Sequence, residues 1–337
     1  MRGTALLLLA ACAATAQARD SDQDFKVARR KVRSGDGASL ALYRYAPEGG
    51  GGWRPAVLLV PDLGFGRESF DLQGEGLAPF LRRHGRDTYV VELRGQGNAD
   101  APAAWSLYEW AAVDLPAAVD AVQQAHPGGP VDLVVHGYGG ALAIAAASRE
   151  LQGKVRRVLA FSPAVAPEVP NEVVRKLLAA PGTLSRAVPE RDFELLFTRD
   201  GNLSGWQRGM LEKNGPHDLG PSAAKDLLRW MESGDLSFPD GTTVRGRIAG
   251  YDRPTLVILP MLDNYAHAEF AEPLRALAPK AKVTLRSLSR LYLEAEDYTH
   301  LSMLHGRGAA QDVFLPALAF LDAADAPAPA PAPEVSP

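Results

Sequence analysis

The sequence predicts an α/β fold, with a doubly wound, mainly parallel sheet and an inserted helical cap. Short apolar runs of strand length alternate with longer helical stretches, which is the pattern of parallel strands joined by crossover helices. The alternation breaks between residues 163 and 253, in a segment rich in Pro, Gly and charge, and then resumes. With 337 residues, of which 46% are hydrophobic and 23% charged, the chain is long enough to bury one large core.

The first elements are predicted to be a β-hairpin followed by buried strands. Residues 26–33 and 39–45 flank Ser34-Gly35-Asp36-Gly37, a sequence typical of a turn. Continuous apolar runs, which suit strands buried on both faces of a parallel sheet, then occur at residues 56–60, 88–91, 131–135 and 155–161.

Helices are predicted between these strands. Ser106 and Glu109 fit a capping box at the start of a long helix that ends near Ala125. Residues 141–150 are strong helix formers. Beyond the break, the pattern predicts a strand at 254–259, a helix at 268–277, a strand at 282–288 and a helix at 309–321. The core is therefore expected at residues 25–162 and 254–322, with a cap or lid at 163–253.

The two ends of the chain are predicted to lie outside the folded core. Arg2, the apolar run 4–14 and Ala16-Gln17-Ala18 predict a signal peptide over residues 1–18 and therefore export to the periplasm or cell envelope. Two interpretations of Cys12 stay open: Leu9-Ala10-Ala11-Cys12 resembles a lipobox, which would give a lipidated membrane tether, or Cys12 is an apolar residue of a removed signal. Residues 323–337, with alternating Ala and Pro, are expected to form a disordered tail.

The composition also limits the partners. A net charge of −4 without a basic block argues against nucleic acid as a partner. His217, His267 and the scattered Glu and Asp residues of the cap show no metal-ligand spacing, so we predict no metal, and we predict no cofactor. The sequence leaves the oligomeric state open.

The segment that follows the strand at 131–135 contains the candidate catalytic motif. His136-Gly137-Tyr138-Gly139-Gly140 resembles the nucleophile elbow of the α/β-hydrolase family, where G-x-S-x-G places a serine on a sharp turn between strand and helix. Aligned on the strand and the trailing glycines, the serine position falls on Gly137. Other frames offer no serine, cysteine or aspartate, and the phenol of Tyr138 has a pKa near 10, which makes it a poor nucleophile.

Further segments resemble this family in the order in which the family carries them. The segment Asp297-Tyr298-Thr299-His300-Leu301 resembles the loop of the triad histidine, which implies that role for His300; His305 competes for it if the loop is shifted. The segment 254–263 resembles the strand and turn of the triad acid, which implies that role for Asp263. By the same resemblance, the backbone N–H groups of Leu63 and Tyr138 would form the oxyanion hole. The similarity covers roughly residues 26 to 322.

One segment departs from the family pattern. After the third strand the family usually has His-Gly-x-Gly, whereas this chain has Pro61-Asp62-Leu63-Gly64. A carboxylate at Asp62 lining the cleft would oppose the stabilisation of negative charge that an oxyanion hole supplies. If the Asp62 side chain instead points out of the cleft, it does not oppose this stabilisation.

Three hypotheses for the function follow. The chain is a hydrolase-like protein with weak or absent ordinary esterase activity, in which His300 and Asp263 activate a water molecule. Alternatively, it is a non-catalytic relative that binds a partner or a small apolar or ester-like molecule. The third and weakest hypothesis is an esterase with Tyr138 as its nucleophile.

Overall fold

The computed structural model describes residues 27–49, 53–102, 104–168, 172–179, 189–199 and 201–323. The predicted signal peptide, Cys12 and residues 324–337 of the predicted tail lie outside these ranges. No helix in the described ranges is long and apolar enough to cross a membrane.

In the described residues, eight strands form one sheet with the order β1-β2-β4-β3-β5-β6-β7-β8. The strands are β1 (Val27–Arg33), β2 (Ser39–Tyr45), β3 (Val57–Val60), β4 (Thr88–Glu92), β5 (Val131–His136), β6 (Val155–Phe161), β7 (Thr255–Pro260) and β8 (Val283–Leu288). The strands from β3 to β8 pair in parallel, and β1 and β2 extend one edge in antiparallel fashion. The prediction of a doubly wound, mainly parallel α/β sheet is confirmed.

The central strands are apolar throughout because both of their faces are covered. Along β3, Leu58 and Val60 pack into the hydrophobic layer on one face, while Val57 and Leu59 pack into the layer on the other. Successive side chains of a strand point to opposite faces. A central strand with a helix layer on each side therefore needs an apolar residue at every position, which is what the continuous runs in the sequence provide.

Helices cover the sheet and fill the insertion. Those of the core are α1 (Leu77–Arg83), α2 (Leu115–Ala125), α3 (Gly137–Ala147), α9 (Ala268–Ala271), α10 (Leu274–Leu277), α11 (Ser302–His305) and α12 (Leu315–Asp322). Between β6 and β7 lie α4 (Glu172–Ala179), α5 (Glu190–Phe193), α6 (Gly205–Asn214), α7 (Gly220–Ser233) and α8 (Val244–Ile248). A π-helical turn, Glu194–Thr198, continues α5.

Several helices differ from the continuous ones that the sequence predicts. Glu109 accepts a hydrogen bond from the Ser106 backbone N–H at 2.7 Å, as the predicted capping box requires, but a π-helical turn (Trp110–Asp114) precedes α2. The helix predicted at 268–277 is divided into α9 and α10, and Pro273 stands at the start of α10. Proline lacks the N–H that a continuous helix needs and clashes with the preceding turn.

A buried ion-pair cluster attaches the last helix to the sheet. Asp132 on β5 is fully buried and contacts Arg86 at 2.7 Å and Arg156 at 2.6 Å. Arg86 also contacts Asp322 at 2.8 Å, and both guanidinium groups donate to the Leu321 carbonyl oxygen. The C-terminal end of α12 is thereby fixed beside the amino end of the central strands.

Candidate active site

The turn between β5 and α3 has the backbone of a sharp elbow. Helix α3 begins at Gly137, directly after the last residue of the strand, and Gly137 has φ +54°. This left-handed conformation favours glycine because it strains residues that have a Cβ atom. A Cβ atom at Gly139 would lie 2.8 Å from the Pro61 carbonyl oxygen, so close packing also excludes a side chain there.

A buried histidine and carboxylate lie opposite this elbow. His300 Nδ1 is 2.8 Å from Asp263 Oδ2, and neither side chain is more than 3% exposed. The other oxygen of Asp263 accepts the backbone N–H groups of Tyr265 at 3.0 Å and Ala266 at 2.8 Å. The loops that follow β7 and β8 therefore hold the carboxylate and the imidazole in fixed orientations.

Asp62 follows β3 and turns into the site. Its Oδ1 atom accepts the backbone N–H of Leu63 at 2.7 Å and that of Gly139 at 2.9 Å. Its Oδ2 atom lies 3.2 Å from Nε2 of His300. The Asp62 side chain therefore does not point out of the site, and its conflict with the oxyanion hole remains.

The Asp62 carboxylate fills the space that opens beside Gly137. A Cβ atom built on Gly137 would lie 1.9 Å from Oδ2 and 2.1 Å from Cγ of Asp62. A serine at position 137 and an aspartate in this rotamer at position 62 therefore exclude one another. The side chain that approaches the imidazole comes from the loop after β3 and not from the elbow.

The charges of this cluster are strongly coupled. Burial lowers the pKa of His300, but the charges and hydrogen bonds of Asp263 and Asp62 outweigh this effect and raise the pKa to about 9. Burial raises the pKa of Asp62 above its usual range, although His300 and the two backbone N–H groups act in the opposite direction. His300 is accordingly an imidazolium at neutral pH, donating one hydrogen bond to each carboxylate.

A second histidine supports the first. The ring of His136, the last residue of β5, stacks on the His300 ring with centroids 4.0 Å apart and an interplanar angle of 20°. Burial and the charge of His300 lower the pKa of His136 well below its usual range. His136 is therefore neutral. Its ring stacks on the imidazolium of His300 and fixes the plane of that imidazolium without adding a repelling charge.

Aromatic side chains close the site. The rings of Phe65, Phe197 and Tyr265 lie 6.3, 5.9 and 5.2 Å from that of His300. Tyr138 packs against Tyr265 with ring centroids 5.3 Å apart. His300 and Asp62 are fully buried, and Tyr138 is 1% exposed. These rings therefore enclose the buried imidazole of His300.

The structure brings together most of the residues singled out in the sequence. Gly137, His300 and the N–H of Leu63 surround the Asp62 carboxylate, and Asp263 contacts the other nitrogen of the His300 ring. Of the two predicted oxyanion-hole donors, Leu63 donates its N–H to Asp62, and the role of the Tyr138 N–H stays a prediction. The second N–H that meets the carboxylate is that of Gly139, one residue further along α3, because Asp62 reaches over the first turn of the helix.

The ring of the competing histidine, His305, makes no hydrogen bond to Asp263. His305 is a buried residue at the end of α11, and burial lowers its pKa to about 4. Sequence reasoning missed the stacking of His136 and the direct contact between Asp62 and His300. The only sequence signal for that contact was an aspartate where the family usually has glycine. In the described ranges, no group of three or more His, Cys, Asp or Glu side chains is arranged to hold a metal ion.

Comparisons with known proteins agree with this fold. Residues 57–327 match the alpha/beta hydrolase family, and the chain belongs to that family. A probable lipase of Schizosaccharomyces pombe is 31% identical over 157 residues, which is 41% of this chain and 34% of the lipase. The chain therefore matches about a third of the length of that curated relative.

Solved structures show the same fold at low sequence identity. A bromoperoxidase from Bacillus anthracis has a TM-score of 0.62 at 15% identity, covering 87% of this chain and 99% of its own. A carboxylesterase from Bacillus subtilis has a TM-score of 0.60 at 16% identity, covering 90% and 95%. A hydrolase from Pseudomonas aeruginosa has a TM-score of 0.60 at 20% identity, covering 88% and 98%.

Proposed function

We propose that this protein is an α/β-hydrolase-like protein in which ordinary serine ester hydrolysis is weak or absent. The observation that carries the proposal is the position of the Asp62 carboxylate, 1.9 Å from where a side chain on Gly137 would begin. No serine is present at the elbow, and its space is filled by the Asp62 carboxylate, which a serine side chain would have to displace. Loss of a triad serine typically lowers turnover by about 10⁶-fold.

The state of the oxyanion hole supports the same proposal. The N–H of Leu63, one of the two donors that the family resemblance assigns to the oxyanion hole, already donates to Asp62, as does the nearby N–H of Gly139. An ester carbonyl oxygen would have to compete with a bound carboxylate for them. A negative charge at Asp62 would also repel the charge that develops on that oxygen.

The protonation of His300 restricts the water-activating alternative. A general base must be neutral, whereas a histidine with a pKa of about 9 is protonated at neutral pH. Asp62 also occupies the Nε2 side of the imidazole, at 3.2 Å. Water activation by His300 and Asp263 is therefore expected only after the charge on Asp62 has been removed.

The test compares the wild-type protein with a variant that has the residues usual in the family. Asp62→Gly combined with Gly137→Ser removes the carboxylate and introduces the serine, whereas Gly137→Ser alone leaves the serine to clash with Asp62. Turnover of short-chain p-nitrophenyl esters and labelling by a fluorophosphonate probe are measured on all three proteins. We expect both signals in the double variant only.

Two other outcomes of this experiment would favour a different function. Ester turnover and probe labelling in the wild-type protein, both lost in His300→Ala, would show that an ordinary serine mechanism operates. If the wild-type and double-variant proteins are both inert towards every class of substrate, the alternative function is favoured: a pseudo-hydrolase that binds a small apolar or ester-like molecule or a partner. The closed aromatic surroundings of His300 are the observation that supports binding of such an apolar molecule.

We also propose that the protein is exported to the periplasm or cell envelope. The basis is the signal-like sequence of residues 1–18, and a lipid on Cys12 would tether the protein to a membrane. The mass of the mature N-terminal peptide distinguishes the two interpretations of Cys12. An N-terminus after Ala18 indicates a soluble exported form, a lipid-modified Cys12 indicates the tethered form, and an intact Met1 contradicts export.

A further inference from the structure

Three consecutive apolar side chains are held in solvent by the loop that follows β8. Leu291 is 89% exposed, Tyr292 is 58% exposed and Leu293 is 96% exposed. Single exposed apolar residues are common on protein surfaces, whereas a contiguous group of large ones usually marks a contact with a partner or a membrane. The loop is therefore a candidate contact surface.

The backbone of this loop is fixed by hydrogen bonds. Ser289 Oγ donates to Asp297 Oδ1 at 2.8 Å and accepts the Leu291 N–H at 3.2 Å. Leu293 has φ +70°, a left-handed conformation that strains a residue with a Cβ atom, and its N–H donates to the Arg290 carbonyl oxygen at 3.1 Å. Such strain persists only where surrounding contacts impose it, so these bonds keep the apolar side chains exposed.

A second exposed apolar pair adjoins the loop. Met261 and Leu262, which follow β7, are both exposed. The Met261 N–H donates to the Leu288 carbonyl oxygen at 3.2 Å, and the Leu262 N–H donates to that of Tyr298 at 3.1 Å, so the pair is bonded to both ends of the loop. We name the five exposed residues the apolar patch: Met261, Leu262, Leu291, Tyr292 and Leu293.

The charged side chains of the loop differ in exposure according to their sign. The acidic ones, those of Glu294, Glu296 and Asp297, are all partly buried. Arg290 and Arg307 both pair with Glu296 but are themselves exposed, and the Arg307 side chain is 70% exposed against 19% for Glu296. The charge that this loop presents to solvent is therefore mainly positive.

We propose that the apolar patch and its two arginines dock the protein peripherally on an anionic lipid surface. The leucine side chains and the tyrosine ring enter the boundary between head groups and acyl chains, and the guanidinium groups contact lipid phosphates. A standard protein–protein interface uses about 20–30 residues on each side, far more than the patch supplies, which favours a lipid surface as its occupant. This contact requires neither a reaction at His300 nor the proposed signal peptide.

The positions of these residues define the orientation of the docked protein. Leu262 directly precedes Asp263, and Tyr298, which accepts the Leu262 N–H, lies two residues before His300. The patch is thus carried by the same two loops as the buried carboxylate and imidazole. Docking therefore turns the carboxyl edge of the sheet towards the lipid, and the amino edge, where Trp53 precedes β3, towards water.

Vesicle flotation tests the proposal on the full chain. Vesicles of phosphatidylcholine alone are compared with vesicles of equal parts phosphatidylcholine and phosphatidylglycerol, and we expect stronger binding to the anionic ones. Leu291→Ser combined with Leu293→Ser should lower the partition coefficient by about tenfold or more. Arg307→Gln should weaken binding by about fivefold on the anionic vesicles only.

Trp53→Ser is the matched control for the apolar substitutions. Trp53 is 58% exposed, as Tyr292 is, but it lies at the opposite edge of the sheet. Its substitution should leave vesicle binding as in the wild type. Because all the substituted side chains are exposed, urea denaturation should show that each variant remains folded.

A label in the patch separates this contact from any contact made by the apolar N-terminal segment. The chain has one cysteine, Cys12, so Cys12→Ser combined with Leu293→Cys gives a single thiol for a nitrobenzoxadiazole label. Anionic vesicles should shift the emission of this label to the blue, as it enters apolar surroundings. The same label introduced by Trp53→Cys in the Cys12→Ser background should show no shift.

Three outcomes would overturn the proposal. The first is equal vesicle binding by the wild-type protein and the double leucine variant, and the second is an unshifted label at position 293. The third is a dimer, measured by analytical ultracentrifugation, that the two leucine substitutions abolish, because the patch would then join two copies of the chain. None of these outcomes bears on the proposed lack of serine catalysis, which ester turnover and fluorophosphonate labelling measure separately.

Discussion

At the scale of single residues, positions 62 and 137 are complementary. Gly137 lacks the side chain that the family places at the elbow, and Asp62 carries one where the family usually has glycine. The structure explains the pairing, since Oδ2 of Asp62 lies where the first side-chain atom of residue 137 would be. The two positions are therefore expected to change together and not independently.

Substitution Gly137→Ala tests this steric relation. Gly153 is the matched control, because it also has a positive φ, +78°, but a Cβ atom added there would meet no other atom within 4 Å. The left-handed backbone should cost about 1–2 kcal/mol in each variant. Gly137→Ala should cost roughly 1–3 kcal/mol more because Asp62 has to move. Urea denaturation measures both values.

A second comparison isolates the contribution of the carboxylate. In an Asp62→Gly background, Gly137→Ala should retain only the backbone cost, comparable with that of Gly153→Ala. Equal costs with and without Asp62 would contradict the steric conflict and place the carboxylate elsewhere in solution.

The sequence predicted the members of this site but not their relation. Gly137, Asp263 and His300 were found because each follows a strand at a spacing typical of the family. The orientation of Asp62 could not be predicted, since it depends on a side-chain rotamer and on two N–H groups, one of them 77 residues away along the chain. The stacking of His136 on His300 escaped prediction for the same reason.

At the scale of elements, the segment from Glu190 to Thr198 closes the site. The Phe197 carbonyl oxygen accepts the Thr299 hydroxyl at 2.7 Å and the Leu301 backbone N–H at 3.2 Å. The Leu195 carbonyl oxygen accepts the side-chain amide of Asn264 at 2.9 Å. These bonds join the π-helical turn to the two loops that carry Asp263 and His300, so opening of the cap has to break them.

Substitution Thr299→Val should loosen this contact. It removes the hydroxyl donor to the Phe197 carbonyl oxygen while keeping a side chain of similar shape, at a cost of about 1 kcal/mol. Hydrogen exchange measured by mass spectrometry should become faster in the segment 189–199. Thr299→Ser keeps the hydroxyl and is the control, and equally fast exchange in both variants would show that the hydroxyl does not hold the cap.

The elements themselves were predicted with differing success for physical reasons. The apolar runs predicted all the central strands, because a strand buried on both faces requires apolar residues at successive positions. The breaks in the helices were less evident. The divided helix at Pro273 follows from a missing N–H, whereas the π-helical turn at Trp110–Asp114 depends on packing that the local sequence does not encode.

At the scale of the whole molecule, a buried charged cluster couples folding to protonation. His300 faces Asp62, Asp263, the neutral ring of His136 and the phenol of Tyr265. Its pKa is about 9 in the folded protein, compared with about 6.5 in an unfolded chain. The folded state therefore binds the proton more tightly, and this stabilisation is fully present below about pH 6.5.

The stability of the protein should accordingly fall as the pH rises towards 9. Above about pH 6.5 the unfolded histidine is neutral while the folded one keeps its proton, so the loss is roughly 1.4 kcal/mol per pH unit and on the order of 3 kcal/mol in total. Glu68, whose pKa burial raises to about 7, adds to the loss only in the lower part of this range. Urea denaturation at several pH values measures the slope.

His300→Gln is the control for this dependence. The variant lacks the titrating group, so its stability should change little between about pH 7.5 and pH 9. A wild-type stability that is also constant over this range would contradict an imidazolium held between two carboxylates and would return His300 to the role of a neutral base.

The sequence by itself determined the fold class, the order of the strands and helices, and the absence of a serine at the elbow, because hydrophobic periodicity and turn residues are local properties. Only the tertiary structure decided what replaces that serine. Asp62 and His300 are 238 residues apart in sequence, and they meet because parallel strands bring the loops at their carboxyl ends to one edge of the sheet. The charge state of the site follows from that meeting and from burial, and neither can be read from the residues alone.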